Sequence, residues 1–111
     1  HIGITGWITD PNRGKTLRDV VKVHQSPVVL CLCFTSLINF LVVDTFDRLM
    51  IETDAPFLTP FNMDTSGGRP RRNEPGYLPY VLKEVAACLG ISEEEVARET
   101  TATAKRFFQL P

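Results

Sequence analysis

The stretch Leu49-Met50-Ile51-Glu52-Thr53-Asp54-Ala55-Pro56-Phe57-Leu58 determines how the rest of the chain is interpreted. Its apolar start is typical of a buried strand, and Pro56 cannot continue a central strand because proline lacks the amide hydrogen that the ladder needs. The sequence therefore predicts a strand that ends just after Asp54. Sites of α/β proteins lie at the carboxyl ends of strands, so Asp54 is either a site residue or an ordinary turn residue before a proline.

Upstream of this strand, the chain carries one strand signal and one helix signal. Residues 1–8 are rich in β-branched and aromatic side chains, which predicts a strand in which Gly3 and Gly6 allow close approach of other groups. Apolar residues at helical spacing then predict a helix that ends near Val23, with Thr16 as its N-cap.

Downstream, two helix boundaries are marked by capping residues. An amphipathic helix is predicted over residues 77–89, with Gly90 as its stop, and Ser92 caps a following helix. A last short helix is predicted to begin at Thr100 or Thr101 and to bury three side chains, those of Ala104, Phe107 and Phe108.

The order strand, helix, strand, helices predicts an α/β chain with a parallel sheet. A sheet of two strands leaves both edges unpaired and buries little, so we expect these residues to be a segment of something larger. The chain also begins with His1 rather than Met, which favours the same expectation.

Composition restricts the classes of function. The 111 residues predict one domain, and a net charge of −1 excludes a globally basic nucleic-acid binder. Three cysteines without a disulfide-like spacing favour a reducing compartment, and the closely spaced Cys31 and Cys33 have no partner pattern for zinc. No signal peptide is visible, so a cytoplasmic or nuclear location is expected.

Residues 24–46 form an unusual apolar segment, and residues 28–43 carry no charge. A helix of that uncharged length would span about 24 Å, whereas a bilayer core is about 30 Å thick. The segment is therefore either a marginal membrane span or a buried helix or strand pair.

A long polar loop over residues 59–76 carries Arg69, Arg71 and Arg72. Long loops in compact domains are often functional, and guanidinium groups match phosphate geometry. The loop is therefore either an anion-binding element or simply a solvated connection.

Taken together, several motifs resemble the TatD family of metal-dependent deoxyribonucleases. The similarity covers residues 1–23 and 47–111 and rests on the following segments: Ile2-Gly3-Ile4-Thr5-Gly6, the strand segment quoted above, Arg72-Asn73-Glu74-Pro75, and a tail through Glu94-Glu95-Val96-Ala97, Thr100-Thr101 and Arg106-Phe107-Phe108. The resemblance implies a TIM-like (β/α)8 barrel, of which this chain would be the C-terminal fragment carrying the last two strands with their helices.

The resemblance also implies a chemistry, which is hydrolysis of DNA phosphodiester bonds by metal-activated water. Asp54 matches the family's last-strand aspartate, which binds metal and orients the attacking water, and Glu52 matches a catalytic glutamate two residues earlier. Arg72, Asn73 and Glu74 match a substrate-binding loop beside the site, where Arg72 either contacts phosphate or pairs with Glu74. The implied cofactors are divalent cations (Mg, Mn or Zn), with two in the complete site.

The chain departs from the family pattern at Thr103, where relatives commonly carry asparagine, and in two larger ways. The other family ligands, a His-x-His pair on the first strand and then a glutamate and two histidines on middle strands, are absent, and neither His1 nor His24 stands where it could replace them. Residues 24–46 interrupt the match, and their composition suggests translated intron rather than an evolved element. We therefore expect inactivity of the chain alone, with a non-catalytic fragment that associates with other barrel pieces, or a membrane-anchored protein, as the alternatives.

Overall fold

Two short parallel strands form the sheet in the computed structural model, which describes residues 1–23, 48–64 and 66–111. Strand β1 (Ile2–Ile4) pairs with strand β2 (Leu49–Ile51), and Gly3 lies opposite Met50 in the register. The described part of the chain thus contains a two-stranded parallel sheet and three α-helices. The α/β class is confirmed, and the larger barrel stays a prediction.

Both strands are shorter than the sequence predicts. After β1 the chain enters a 3-10 helix (Gly6–Thr9), and the Thr5 side chain caps this helix by accepting a hydrogen bond from the Trp7 amide. Ile8 is fully buried in this 3-10 helix, so its β-branched side chain belongs to the core and not to a strand. Strand β2 ends at Ile51, and only the Glu52 amide continues the ladder, by donating to the Ile4 carbonyl at 2.9 Å.

Three helices surround the apolar side of the sheet: α1 (Lys15–Val23), α2 (Leu78–Leu89) and α3 (Glu93–Phe108). The predicted stop of α2 is confirmed, because Gly90 has a φ of 68° and donates to the Ala86 carbonyl at 2.8 Å. The predicted cap of α3 is also confirmed, because the Ser92 hydroxyl accepts from the Glu95 amide at 3.1 Å. Thr16, in contrast, lies inside α1 rather than at its cap.

Helix α3 is continuous, so the prediction of a separate last helix at Thr100 or Thr101 is wrong. The Thr100 hydroxyl donates to the Val96 carbonyl one turn earlier at 2.7 Å. The hydroxyl therefore has a hydrogen-bond partner within a continuous helix and does not cap a new one. The predicted burial of Phe107 and Phe108 is wrong as well, since they are 48% and 61% exposed at the helix end.

One face of the sheet and the three helices share the core. The fully and nearly fully buried apolar side chains are Ile4, Ile8, Val21, Val81, Val85, Ala86 and Val96. Ile2, Leu49 and Ile51 pack against this core. Because side chains alternate along a strand, the Met50 side chain and the Cα hydrogens of Gly3 face the opposite side of the sheet.

The predicted apolar insert at 24–46, including the candidate span at 28–43, lies outside the described residues. Among the helices that the structure describes, none combines the length and hydropathy that crossing a membrane requires.

Candidate functional site

Glu52 and Asp54 lie just beyond β2, at the carboxyl end of the sheet, and both are exposed. The Glu52 side chain lies over Gly3 of the neighbouring strand, where a Cβ would stand 2.6 Å from Oε1. Gly3 therefore leaves the room that this carboxylate occupies. Within the described residues, neither Glu52 nor Asp54 has a side-chain hydrogen bond or ion pair, so both carboxylates are available to a cation.

The backbone at Asp54 explains how its carboxylate reaches the surface. Asp54 has a φ of 56°, in the left-handed region that Asp tolerates better than most residues, and its carbonyl accepts from the Phe57 amide at 2.9 Å across a cis Ala55–Pro56 bond. Strand β2 ends at Ile51, so the alternation of side chains along a strand does not set the directions of the Glu52 and Asp54 side chains. Asp54 is thus a turn residue with an exposed carboxylate at a strand end.

Asn73 fastens the turn that carries Asp54. Its side chain is 2% exposed, and its Nδ2 donates to three backbone carbonyls, those of Thr53 (2.6 Å), Phe57 (2.6 Å) and Leu58 (3.3 Å). Its own amide donates to the Pro56 carbonyl at 3.0 Å. The side chain predicted as substrate-binding is therefore occupied by the chain itself, and it acts on the site by holding residues 53–58 in place.

Arg72 and Glu74 flank Asn73 and are both exposed. The Glu74 amide donates to the Asn73 Oδ1 at 2.9 Å, and Glu74 then precedes a second 3-10 helix (Pro75–Tyr77). Among the residues that the structure describes, Arg72 and Glu74 form no ion pair with each other. Arg72 was expected either to contact phosphate or to pair with Glu74. The pairing with Glu74 is not present in the structure, and the Arg72 side chain is exposed to solvent.

A second loop, which follows β1 and carries no predicted site residue, lies at the same end of the sheet. Thr9 joins the two loops, because its hydroxyl donates to the Gly6 carbonyl at 2.6 Å and accepts from the Phe61 amide at 2.7 Å. Asp10 shapes the turn that follows, with Oδ1 accepting from the amides of Asn12 (2.8 Å) and Arg13 (2.9 Å). The Asp10-Pro11-Asn12 sequence, a common turn signature, was the available signal.

The charge of Asp10 is stabilised by its surroundings. The hydrogen bond from the Arg13 amide is the main reason why the pKa of Asp10 lies below its ordinary value, and it outweighs the opposing effect of burial. The Asn12 amide and the guanidinium groups of Arg13 and Arg69 lower the pKa further.

A groove of about 350 Å³ lies between the two loops, and we call it the arginine–aromatic groove. Its lining includes Arg13, Arg69, Arg71, Trp7, Phe57 and Phe61. Its lining from the loop after β2 begins at Pro56, two residues after Asp54.

The described residues fit part of a divalent-cation site. Carboxylate oxygens are the ligands that Mg²⁺ and Mn²⁺ prefer, and Glu52 and Asp54 supply them at an exposed strand end. No group of three His, Cys, Asp or Glu side chains able to hold a metal ion occurs in residues 1–23, 48–64 and 66–111. The His1 ring, excluded from the sequence as a ligand, lies 4.6 Å from the Phe107 ring, at the other end of β1.

A parallel α/β unit with carboxylates and an arginine-lined groove at the carboxyl ends of its strands belongs to the class of α/β proteins that build their sites there. The chain belongs to the family described as TatD-related DNase, whose model matches residues 38–109.

Similar bacterial proteins carry the description "3'-5' ssDNA/RNA exonuclease TatD". The chain is 38% identical to the Erwinia billingiae protein over 112 aligned positions, which cover 99% of this chain and 34% of the relative. The Erwinia tasmaniensis protein is 39% identical over 98% of this chain, and the Salmonella typhimurium protein is 36% identical over 99%; each is covered to 34% of its own length. The chain thus spans about a third of the relatives that it matches.

Proposed function

We propose that the chain contributes to a metal-dependent nuclease that hydrolyses phosphodiester bonds of DNA, as the C-terminal part of a TIM-like barrel. In that barrel, β1 and β2 would be the seventh and eighth strands. The observation that carries the proposal is a pair of exposed carboxylates at the carboxyl end of β2 that have no partner among the described residues, in a chain that belongs to the TatD-related DNase family.

Asp54 would hold a divalent cation, and Glu52 would support either the cation or the attacking water. A bound divalent cation supplies charge stabilisation on the phosphate and lowers the pKa of a coordinated water toward neutrality. The left-handed turn at Asp54 presents the carboxylate, and Asn73 keeps that turn in place through its hydrogen bonds to three carbonyls. A preorganised ligand loses little freedom on binding, so this clamp favours cation affinity.

Arg72 would position a phosphate of the substrate. Its guanidinium is exposed, next in sequence to the clamp, and it is not engaged by Glu74 in the described part of the chain. If Arg72→Ala leaves KM for DNA unchanged in an active complex, this phosphate role is contradicted. A rise in KM with little change in kcat supports it.

The chain by itself is proposed to be inactive, because two carboxylates do not satisfy a hydrolytic metal pair.

A reconstitution assay tests the proposal. The chain is mixed with the part of the Erwinia billingiae relative that it does not cover, and cleavage of a labelled oligonucleotide is followed with Mg²⁺ or Mn²⁺ and with EDTA. We expect that the mixture cleaves the oligonucleotide, that neither part cleaves it separately, and that EDTA abolishes the cleavage. Asp54→Asn should lower the rate more than about a hundredfold, since metal contacts contribute several kcal/mol to the transition state.

The matched control is Asp64→Asn, which removes an exposed carboxylate ten residues later, in the long polar loop over residues 59–76. A complex that cleaves equally well with Asp54→Asn contradicts the proposal. Mn²⁺ binding by the complex, measured by electron paramagnetic resonance, should weaken with Asp54→Asn and not with Asp64→Asn, independently of any cleavage.

A further inference from the structure

Gly3 lies at a position where strand formation alone would favour another residue. It is the middle residue of β1 and lies opposite Met50 in the register of the sheet. Glycine weakens the interior of a strand, because it loses more backbone entropy on folding than other residues and has no side chain to pack. A glycine inside a strand therefore often marks a place that another group approaches closely.

The group that approaches Gly3 is the carboxylate of Glu52. A Cβ on Gly3 would lie 2.6 Å from Glu52 Oε1, 2.8 Å from Cδ and 3.1 Å from Oε2, and these three are its nearest atoms. Non-bonded heavy atoms are in favourable contact at about 3.5–4.0 Å, so the first two distances are too short for a methyl group to fit. The carboxylate therefore occupies the volume that a side chain at position 3 would need.

The contact also identifies the face of the sheet on which the carboxylate lies. Ile2 and Ile4 pack into the core, so a Cβ on Gly3 would point to the opposite face. The Glu52 carboxylate surrounds that Cβ position and hence lies on the face away from the core, where Gly3 is exposed. In the proposed barrel, whose helices form the outer ring, this face of the sheet would line the interior.

We propose that Gly3 is a positioning residue of the cation site, because the space beside its Cα lets the Glu52 side chain fold back along the sheet and fixes where its carboxylate meets a divalent cation. The inference rests on the proposed function, in which Glu52 supports the cation or the attacking water. A larger residue at position 3 would move the carboxylate away from the sheet. The strand pairing would remain, since the displaced atoms are the mobile end of a side chain and not backbone.

Gly3→Ala first separates a positioning role from a structural one. We expect its urea midpoint to be unchanged or slightly raised, because the Glu52 side chain can rotate away and alanine restricts the unfolded chain more than glycine does. The control is Gly76→Ala, since a Cβ at Gly76 would have no atom within 4 Å. A midpoint clearly below that of Gly76→Ala would mean that the fold itself requires the space, and it would overturn the proposal.

Paramagnetic broadening of backbone amide NMR signals by Mn²⁺ then locates the cation in the 111-residue chain without any cleavage. We expect Mn²⁺ to broaden the signal of residue 3 at a lower concentration than that of Gly76. Gly3→Ala and Glu52→Gln should each raise the Mn²⁺ concentration that halves the residue 3 signal by roughly tenfold, the lower end of what residues around a metal ligand contribute. Equal broadening at residues 3 and 76, or an unchanged concentration in Gly3→Ala, would overturn the proposal.

A shorter acid at position 52 provides a rescue that a merely structural role would not give. In the double variant Gly3→Ala/Glu52→Asp, the carboxylate lies one methylene closer to its own backbone and leaves room for the alanine methyl group. The double variant should therefore bind Mn²⁺ more tightly than Gly3→Ala, although Glu52→Asp alone should bind it less tightly than the unaltered chain. Additive losses in the double variant would show that the two residues act independently, which contradicts the positioning role.

Cleavage by the reconstituted complex separates this inference from the proposed function. Gly3→Ala should lower the cleavage rate by roughly tenfold or more, whereas Gly76→Ala should cleave at the unaltered rate. Cleavage that depends on Asp54 but is unaffected by Gly3→Ala contradicts the positioning role alone. A complex that does not cleave, although Mn²⁺ broadening depends on Gly3 and Glu52 as expected, contradicts the proposed function alone.

Discussion

The loops that follow the two strands are each fastened by one side chain, and the two clamps differ in kind. The loop after β1 is held by Arg18 of α1, whose guanidinium donates to the carbonyls of Ile8 (2.6 Å), Asp10 (3.0 Å) and Pro11 (3.2 Å). The loop after β2 is held by Asn73, which is neutral, buried and part of another loop. Both clamps thus satisfy three carbonyls of an irregular segment.

The sequence distance to the acceptors separates the clamps. Arg18 is at most ten residues from its acceptors, whereas Asn73 is 15 to 20 residues from its own. A local clamp forms as soon as the helix after the loop forms. A distant, buried clamp depends on the whole fold, so the turn that presents Asp54 is expected to be the more easily lost of the two.

The contact between the loops gives the largest expected effect. A Cβ at Gly6 would overlap the carbonyl oxygen of Leu58, so Gly6→Ala must push the loops apart. We expect a loss of about 3 kcal/mol in the free energy of unfolding, at the upper end of overpacking substitutions, measured by urea denaturation.

Gly76→Ala is the control for this substitution, because a Cβ there would have no atom within 4 Å. Its effect should stay within about 0.5 kcal/mol, as for ordinary surface positions. Equal stability of Gly6→Ala and Gly76→Ala would mean that the loops are not in contact in solution.

The Asn73 clamp gives the second effect. Asn73→Ala leaves three carbonyls without their donor, so we expect a loss of about 2 kcal/mol in the free energy of unfolding. Asn62→Ala is the matched control, since the Asn62 amide donates once, to the Tyr80 carbonyl at 2.8 Å, and its buried oxygen has no partner among the described residues. Thermal unfolding of both variants gives the measurement. Similar losses of unfolding free energy in Asn73→Ala and Asn62→Ala would contradict a special role for Asn73.

Local capping signals predicted the helix ends well, because they depend on residues within one turn. Gly90 and Ser92 are in this group. The predicted end of β2 is three residues too late. The side-chain type of Asp54 does not show whether its backbone is extended or, as in the structure, left-handed. Phe107 and Phe108 look like core residues in the sequence, yet no described element covers them.

The candidate site shows the same limit. The positions of Glu52 and Asp54 at a strand end were predicted from the order of apolar, acidic and proline residues. The role of Asn73 as a clamp was not, because its acceptors lie in a distant turn. The arginine–aromatic groove combines residues from three separate segments, and the net charge of −1 gave no indication of it.

The Arg18 clamp should be weaker than its three hydrogen bonds suggest. Arg18 is half-buried, so water replaces part of what Arg18→Met removes, and we expect a loss of about 1 kcal/mol in the free energy of unfolding. Arg18→Lys should recover only part of this, because an ammonium group cannot reach several carbonyls in the fork geometry of a guanidinium. Chemical denaturation of both variants gives the measurement, and a loss larger than that of Asn73→Ala would reverse the ranking of the clamps.

Asp10 lies beside the Arg18 clamp and gives the smallest effect, visible as a pH dependence. The pKa of Asp10 in the folded chain lies below its ordinary value of 3.8, so the charge stabilises the fold above that pH. The stabilisation is lost as the pH falls through the lowered pKa. Asp10→Asn keeps an oxygen for the Asn12 and Arg13 amides and removes only the charge. The difference in unfolding free energy between the unaltered chain and Asp10→Asn should therefore be small and constant near neutral pH, begin to fall near pH 3.8 and vanish once the pH is below the lowered pKa of the folded chain. A difference that grows on acidification would show that the loop after β1 does not hold Asp10 as a charged group.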